Sequence, residues 1–350
     1  LKYEELIKEL RRDGPRHVYL LSGEEPYYIE KAQEAILTSL LPTPEDRQDG
    51  LQVINGDMDS DDLVARINTA PFFADKNVLL IRQTNLFRQV RSDGDAKPKN
   101  GKRADKKESR LQEVLAAMPE FSYVIFTSTQ NADKRKKLTK LVGTHGTVLE
   151  SPAIRPWNIG DWLEPRLREL HLHFDREAYG YFSSAVSMMP KVSLSYLDQQ
   201  LQKLALAGTN LKVTKAEMAD LFTGLPEVSV FALTDAVTER KVRKALFLLQ
   251  RQFEDGTYFT ILVSLLARHV RRLWQVKELE RQGLRGRALA QPLGLHPFIA
   301  EKLAKSARAF SEETLKGAML ELVDADYLLK TGKAGNEVLE HVIIRLCTEK

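Results

Sequence analysis

The junction between a strand and the helix after it is where an α/β protein holds a phosphate, and the first such junction here reads LLSGEEPYYIEKA, Leu20 to Ala32. A nucleotide loop at that place requires a glycine-rich stretch ending in a Lys-Ser/Thr pair, so that backbone N–H groups and an ammonium surround the phosphates. Gly23 is the only glycine, no Lys-Ser/Thr pair follows, and Glu24 and Glu25 stand at the helix start. Carboxylates there interact favourably with the helix N-terminus themselves and repel a triphosphate. Gly101-Lys102 and Gly332-Lys333 are likewise not followed by Ser or Thr. The phosphate loop is degenerate, and no cofactor is expected.

Other catalytic chemistry is no better supported. The histidines, His17, His145, His171, His173, His269, His296 and His341, are scattered. Only His171 and His173 are close, and alternate spacing on a helix would point them to different faces. There is no HExxH, so no metal site is expected. Cys347, the one cysteine, excludes an internal disulfide and any cysteine-cluster metal site, and it fits a reducing compartment. On a terminal helix it reads as a small buried residue. No catalytic residue is identified.

Two other features suit contact with a partner. In INTAPFFADKNVLLIRQ (67–83), Pro71 ends a helix, and Phe72 and Phe73 fall on the turn before the next strand. Two such phenylalanines are either core residues or, where one protrudes, a hydrophobic anchor for a partner pocket. The segment 91–110 is low in complexity, and between 97 and 107 it carries Lys97, Lys99, Lys102, Arg103, Lys106 and Lys107 against the single acid Asp105. It is either a solvated insertion or a contact for a phosphate backbone.

The elements that must position these residues alternate through the first 150 residues. Strands are expected at 17–23, 51–57, 77–83, 121–129 and 146–151, with intervening helices that include segments near 107–118 and 132–142. The runs NVLLIRQ and FSYVIFTST are continuously apolar, as in a parallel sheet covered on both faces. Repeated strand–helix alternation implies a doubly wound parallel sheet. From about residue 156 only helices are expected: 157–170, 176–188, 193–207 and 214–222, then after a break at TGLPEVSV (223–230) 229–238, 239–253, 258–281, 286–291, 297–308, 311–330 and 335–347. The domains are expected at 1–151, 152–223 and 224–350. In the helix 258–281, Leu262, Leu266, Val270 and Leu273 line one face, while Arg268, Arg271 and Arg272 share another beside Trp274. Those arginines are either a solvated face or DNA contacts, and Trp274 either packs among helices or meets nucleic acid. Asp326 and Lys330 form an i,i+4 pair that stabilises its own helix.

The bulk composition agrees with a soluble globular chain: 350 residues, 43% hydrophobic and 29% charged. With 52 basic and 48 acidic residues, net charge is +4, weak for a protein that binds DNA by itself through a continuous footprint. No apolar stretch reaches the ~20 residues of a membrane helix, and a cytosolic location is expected.

Seven segments in order resemble the delta subunit of the bacterial DNA polymerase III clamp loader: LLSGEEPYYIEKAQEAI, the helix–PFF–strand unit, WLEPRLRELHLHFDREAYGYF, YLDQQLQKLAL, LLARHVRRLWQVKEL, LGLHPFIAEKLAKSARAF and ELVDADYLLKTG. The resemblance spans nearly the whole chain. It implies an AAA+-like (RecA-type) parallel-sheet domain without a P-loop, a small helical lid domain and a C-terminal helical collar that assembles into a five-member ring. It also implies a subunit that binds no ATP and opens the beta sliding clamp for loading on primed DNA, inserting a hydrophobic pair that falls on Phe72 and Phe73 with Ala70 and Pro71 leading into it. Relatives often have Leu-Phe in that pair. Burying two phenylalanines supplies on the order of 3–6 kcal/mol before entropic losses. The implied partners are the clamp, the gamma/tau ATPase subunits, delta-prime and primed DNA in the assembled loader, with no membrane. The implied setting is the bacterial cytoplasm, at the nucleoid through the replisome, where the holoenzyme carries out DNA-directed DNA synthesis. Two readings compete: a clamp-loader-type ATPase with an atypical nucleotide loop, and a stand-alone DNA-binding protein using 91–110 and the arginine face.

Overall fold

The computed structural model describes residues 1–88, 101–189, 192–207, 212–222 and 226–349, with the backbone path alone for 101–108, 188 and 226–231. They divide into two compact units, Leu1–Ala153 and Ile154–Lys350.

The first unit runs α1 (Tyr3–Asp13), β1 (Val18–Gly23), α2 (Pro26–Leu40), α3 (Pro44–Gly50), β2 (Leu51–Asn55), α4 (Ser60–Asn68), β3 (Asn77–Arg82), α5 (Gly101–Ala116), β4 (Ser122–Ser128), α6 (Lys137–His145) and β5 (Thr147–Ser151). The strands are all parallel in the order β2-β3-β4-β1-β5. Because side chains alternate across a strand, Leu20, Leu79, Ile81, Val124 and Phe126 pack with Leu63, Val64 and Ile67 of α4 and with α5 and α6. Tyr19, Leu21, Val78, Leu80 and Ile125 face the other way, toward Leu6 of α1 and Ile29, Ala32 and Ile36 of α2. This two-sided cover explains why β3 and β4 are continuous apolar runs.

The second unit contains α7 (Gly160–Glu169), β6 (His173–Phe174), α8 (Arg176–Met188), α9 (Leu194–Ala207), β7 (Lys212–Val213) and α10 (Lys215–Leu221). It continues with α11 (Pro226–Thr238), α12 (Val242–Glu254), α13 (Phe259–Arg281), α14 (Ala290–Leu293), α15 (Pro297–Ala307), α16 (Glu312–Lys330) and α17 (Glu337–Thr348). Its main core gathers Leu262, Leu266, Val270 and Leu273 with residues of α11, α12 and α15 to α17, including Cys347. The fold class is thus a parallel-sheet α/β domain followed by a helical region.

The expectation of helices alone beyond residue 156 needs correction, since β6 and β7 pair in parallel through His173–Lys212 and Phe174–Val213. Two-residue strands leave no apolar run for a sequence pattern to reveal. The histidine pair is also not helical: α7 has ended, His171 takes a positive φ of 54° and His173 opens β6.

Candidate functional site: a degenerate loop and an exposed aromatic turn

The start of α2 is closed by the chain itself. Gly23 has φ 143°, and a Cβ there would run into the Ser151 carbonyl of β5. Glycine is required by both the conformation and the close approach. The Glu25 N–H then donates to the Ser151 carbonyl at 3.1 Å, and the Ser151 hydroxyl returns a bond to the Glu25 carbonyl at 2.7 Å. Glu25 is buried, and its carboxylate accepts the Tyr27 N–H at 3.2 Å as the helix cap. Pro26 occupies the first helical position and has no N–H to offer. Glu24 accepts from the Asn131 amide at 3.2 Å. The Glu25 and Tyr27 amides are thus committed to Ser151 and to the Glu25 carboxylate, which itself occupies the helix N-terminus where a phosphate's negative charge would lie.

The turn between α4 and β3 has the opposite character. Asp59 caps α4 by accepting the Asp61 N–H at 2.9 Å, and Leu63, Val64 and Ile67 fasten the helix to the sheet. The helix stops at Asn68, earlier than Pro71, because Thr69 already turns to extended geometry. Ala70 and Pro71 therefore belong to the turn. Phe72 is 90% exposed and Phe73 81%, their rings edge to face with centroids 4.8 Å apart. Apolar rings left so open are absent from the core and available to a partner.

The turn's base is polar and fully engaged. Asn77, the first residue of β3, is buried, and its amide donates to the Arg66 carbonyl at 2.8 Å and the Thr69 carbonyl at 3.2 Å. Its oxygen accepts from Gln52 at 3.2 Å, and Gln52 in turn accepts from the Arg66 guanidinium at 2.8 Å. The Ser122 hydroxyl donates to the Ile67 carbonyl at 2.5 Å. On the returning leg, Lys76 donates to the Leu40 carbonyl at 2.9 Å, and Gly50 makes room, since a Cβ there would lie 2.7 Å from the Lys76 carbonyl.

In the helical unit the three arginines separate. Arg268 and Arg271 line an open groove of about 420 Å³ between α13 and α16, together with Asp326 and Lys330 of α16. Arg272 instead turns toward α8, donating to the Ser187 carbonyl at 3.0 Å, and burial pushes its pKa down to about 10. Trp274 is half-buried against the core. The Lys330 ammonium reaches Asp326 at 2.7 Å. Burial of His269 pushes its pKa down to about 4, and it shares a hydrogen bond with the Thr238 hydroxyl. Lys97 and Lys99 lie outside the described residues, as do the side chains of Lys102 and Arg103 on α5. Sequence reasoning missed an exposed apolar stripe on α16, Leu320, Val323 and Tyr327. Their i, i+3, i+7 spacing was visible, but a buried face gives the same signal. Among the described residues no His, Cys, Asp and Glu cluster suits a metal, and no helix is long and apolar enough to cross a membrane.

Two family models match. "DNA polymerase III, delta subunit" covers residues 19–151 and "DNA polymerase III delta subunit, C-terminal domain" covers residues 227–346. The chain is similar to DNA polymerase III subunit delta of Bacillus subtilis, 23% identical over 342 residues, 95% of this chain and 93% of that protein. A probable DNA polymerase III subunit delta of Aquifex aeolicus is 20% identical over 319 residues, 89% of this chain and 86% of that one. Among solved structures, the fold matches a Bacillus subtilis DNA clamp loader delta protein with TM-score 0.64 and 22% identity, over 99% of this chain and 100% of that chain.

Proposed function

The chain belongs to the delta-subunit family of DNA polymerase III, and from that premise we propose that it binds the beta sliding clamp through the Phe72–Phe73 turn. In this reading it opens the ring for loading on primed DNA and binds no ATP itself. The observation that carries the reading is the turn: two phenylalanines, 90% and 81% exposed, stand on a base whose polar groups are engaged within the protein. A large apolar anchor on an ordered support suits a preformed hydrophobic pocket, because little freedom remains to be lost on docking. The closed start of α2 supports a role without nucleotide.

The helices beyond residue 152 are proposed to act as a lid (152–223) and a collar (224–350) that joins the gamma/tau subunits and delta-prime in the bacterial cytoplasm. Leu320, Val323 and Tyr327 on α16 are exposed residues with apolar surface suited to such a contact. Primed DNA is shared among the subunits, in keeping with a net charge of only +4. The test is capture of purified sliding clamp by the wild-type chain and by the Phe72→Ala/Phe73→Ala variant. The wild type retains the clamp and the variant does not, while both melt at the same temperature. Equal retention by both overturns the reading.

A further inference from the structure

The geometry points to Asn77 as the positioning residue of the aromatic turn, with Gln52 and Ser122 holding it, an inference that rests on the reading of that turn as the clamp-binding element. The last carbonyls of a helix have no partner within it, and α4 ends without the glycine that commonly closes a helix. The Thr69 N–H reaches the Arg66 carbonyl at 3.3 Å, and side chains supply further donors. Asn68 donates to the Val64 carbonyl at 2.9 Å and Thr69 to the Ala65 carbonyl at 2.8 Å. The next two carbonyls are reached from distant parts of the chain, Arg66 from Asn77 and Ile67 from Ser122. Asn77 and Ser122 are register partners on adjacent strands, so the sheet itself supplies both donors.

Asn77 does more than end a helix. It also bonds the Thr69 carbonyl, where the turn departs, and is itself the residue to which the turn returns. One side chain therefore closes segment 69–76 at its neck. The circuit runs from the Arg66 guanidinium to Gln52, from Gln52 to Asn77 and back to the Arg66 carbonyl, joining α4, β2 and β3. Opening it takes the Asn77 donor from the Thr69 carbonyl and leaves the Arg66 carbonyl only the Thr69 N–H at 3.3 Å, so each bond resists release of the others. The freedom removed from the neck in the unbound protein is freedom that docking need not remove.

Asn77→Asp tests this in the full-length chain, because a carboxylate cannot donate to either carbonyl. Purified sliding clamp is the probe, and the readouts are association and dissociation rates, amide exchange across 69–76 and Tm. When only a fraction of turns is correctly held, apparent affinity falls by that fraction. Association is expected to slow about tenfold with dissociation nearly unchanged. Exchange is expected to quicken across 69–76 and to stay as in the wild type across β3 and β4. Wild-type association and exchange in a folded Asn77→Asp chain overturn the inference. Should that variant not fold, Gln52→Ala decides by the same readouts, with a smaller shift expected and no shift overturning it. Phe72→Ala/Phe73→Ala runs in parallel. If it binds clamp as wild type does, the clamp-binding reading fails, and the exchange measurement still decides whether Asn77 pins the turn.

Discussion

The start of α2 and the turn before β3 lie at opposite strand ends of one parallel sheet, one after the end of β1 and the other before the beginning of β3. At the first, Gly23, Glu25 and Ser151 satisfy each other, and polar groups that could hold a ligand are turned inward. At the second, Asn77 and Ser122 satisfy the backbone below, and the rings of Phe72 and Phe73 are left pointing outward. Both sites are well hydrogen-bonded. What separates them is the part left uncovered, and an anchor for a partner is made where that part is two aromatic rings.

The strongest attack on this contrast is Gly23→Ala. The new methyl meets the Ser151 carbonyl at a φ that an L side chain rarely adopts, and destabilisation of about 3 kcal/mol or more is expected in chemical denaturation. A variant as stable as the wild type would mean that the loop is not closed on β5.

Next in size is the aromatic pair. Phe72→Ala/Phe73→Ala is expected to weaken clamp binding by about 3 kcal/mol or more, roughly a hundredfold or greater, measured by titration calorimetry. Stability should stay within about 0.5 kcal/mol, because neither ring is buried. A comparable loss of stability would place the rings in the fold and erase the distinction between tip and base.

How far these sites could be read in the sequence follows from the range of the interactions involved. The continuous runs of β3 and β4 betrayed a sheet covered on both faces, since burial on two sides is written in consecutive residues. At the start of α2 the signal is also local: Gly23, Glu24 and Glu25 are adjacent, and Glu25 does cap its helix. The end of α4 was read at Pro71 but falls at Asn68. The donors that end it, Asn77 and Ser122, come from other strands, and no local pattern names them. Likewise a helical wheel places Arg268, Arg271 and Arg272 together, yet Arg272 finds its acceptor at Ser187, 85 positions away. Phe72 and Phe73, taken by themselves, read either as core or as anchor; the family resemblance pointed to the anchor, and the fold leaves both rings exposed.

A finer probe is Phe72→Leu. It keeps most of the apolar area but removes the edge-to-face pair, whose rings lie 4.8 Å apart. An aromatic pair contributes about 0.5–1.5 kcal/mol beyond its area, so clamp affinity is expected to change by at most about tenfold. A loss as large as that of the double alanine variant would show that ring geometry, rather than apolar area, makes the tip an anchor.

The smallest effect is expected from Glu25→Gln, which keeps the shape of the buried side chain and removes its charge at the helix N-terminus. The lost charge–dipole interaction costs about 0.3–1 kcal/mol, readable as a small fall in Tm. The same variant is titrated with ATP and Mg²⁺. Neutralising one acid does not free the Glu25 N–H from Ser151, restore an N–H to Pro26 or supply a lysine, so no nucleotide binding is expected. Micromolar ATP affinity in the variant would make charge alone the barrier, and the α2 start would then be a phosphate site held shut by one carboxylate rather than one rebuilt into the protein's own packing.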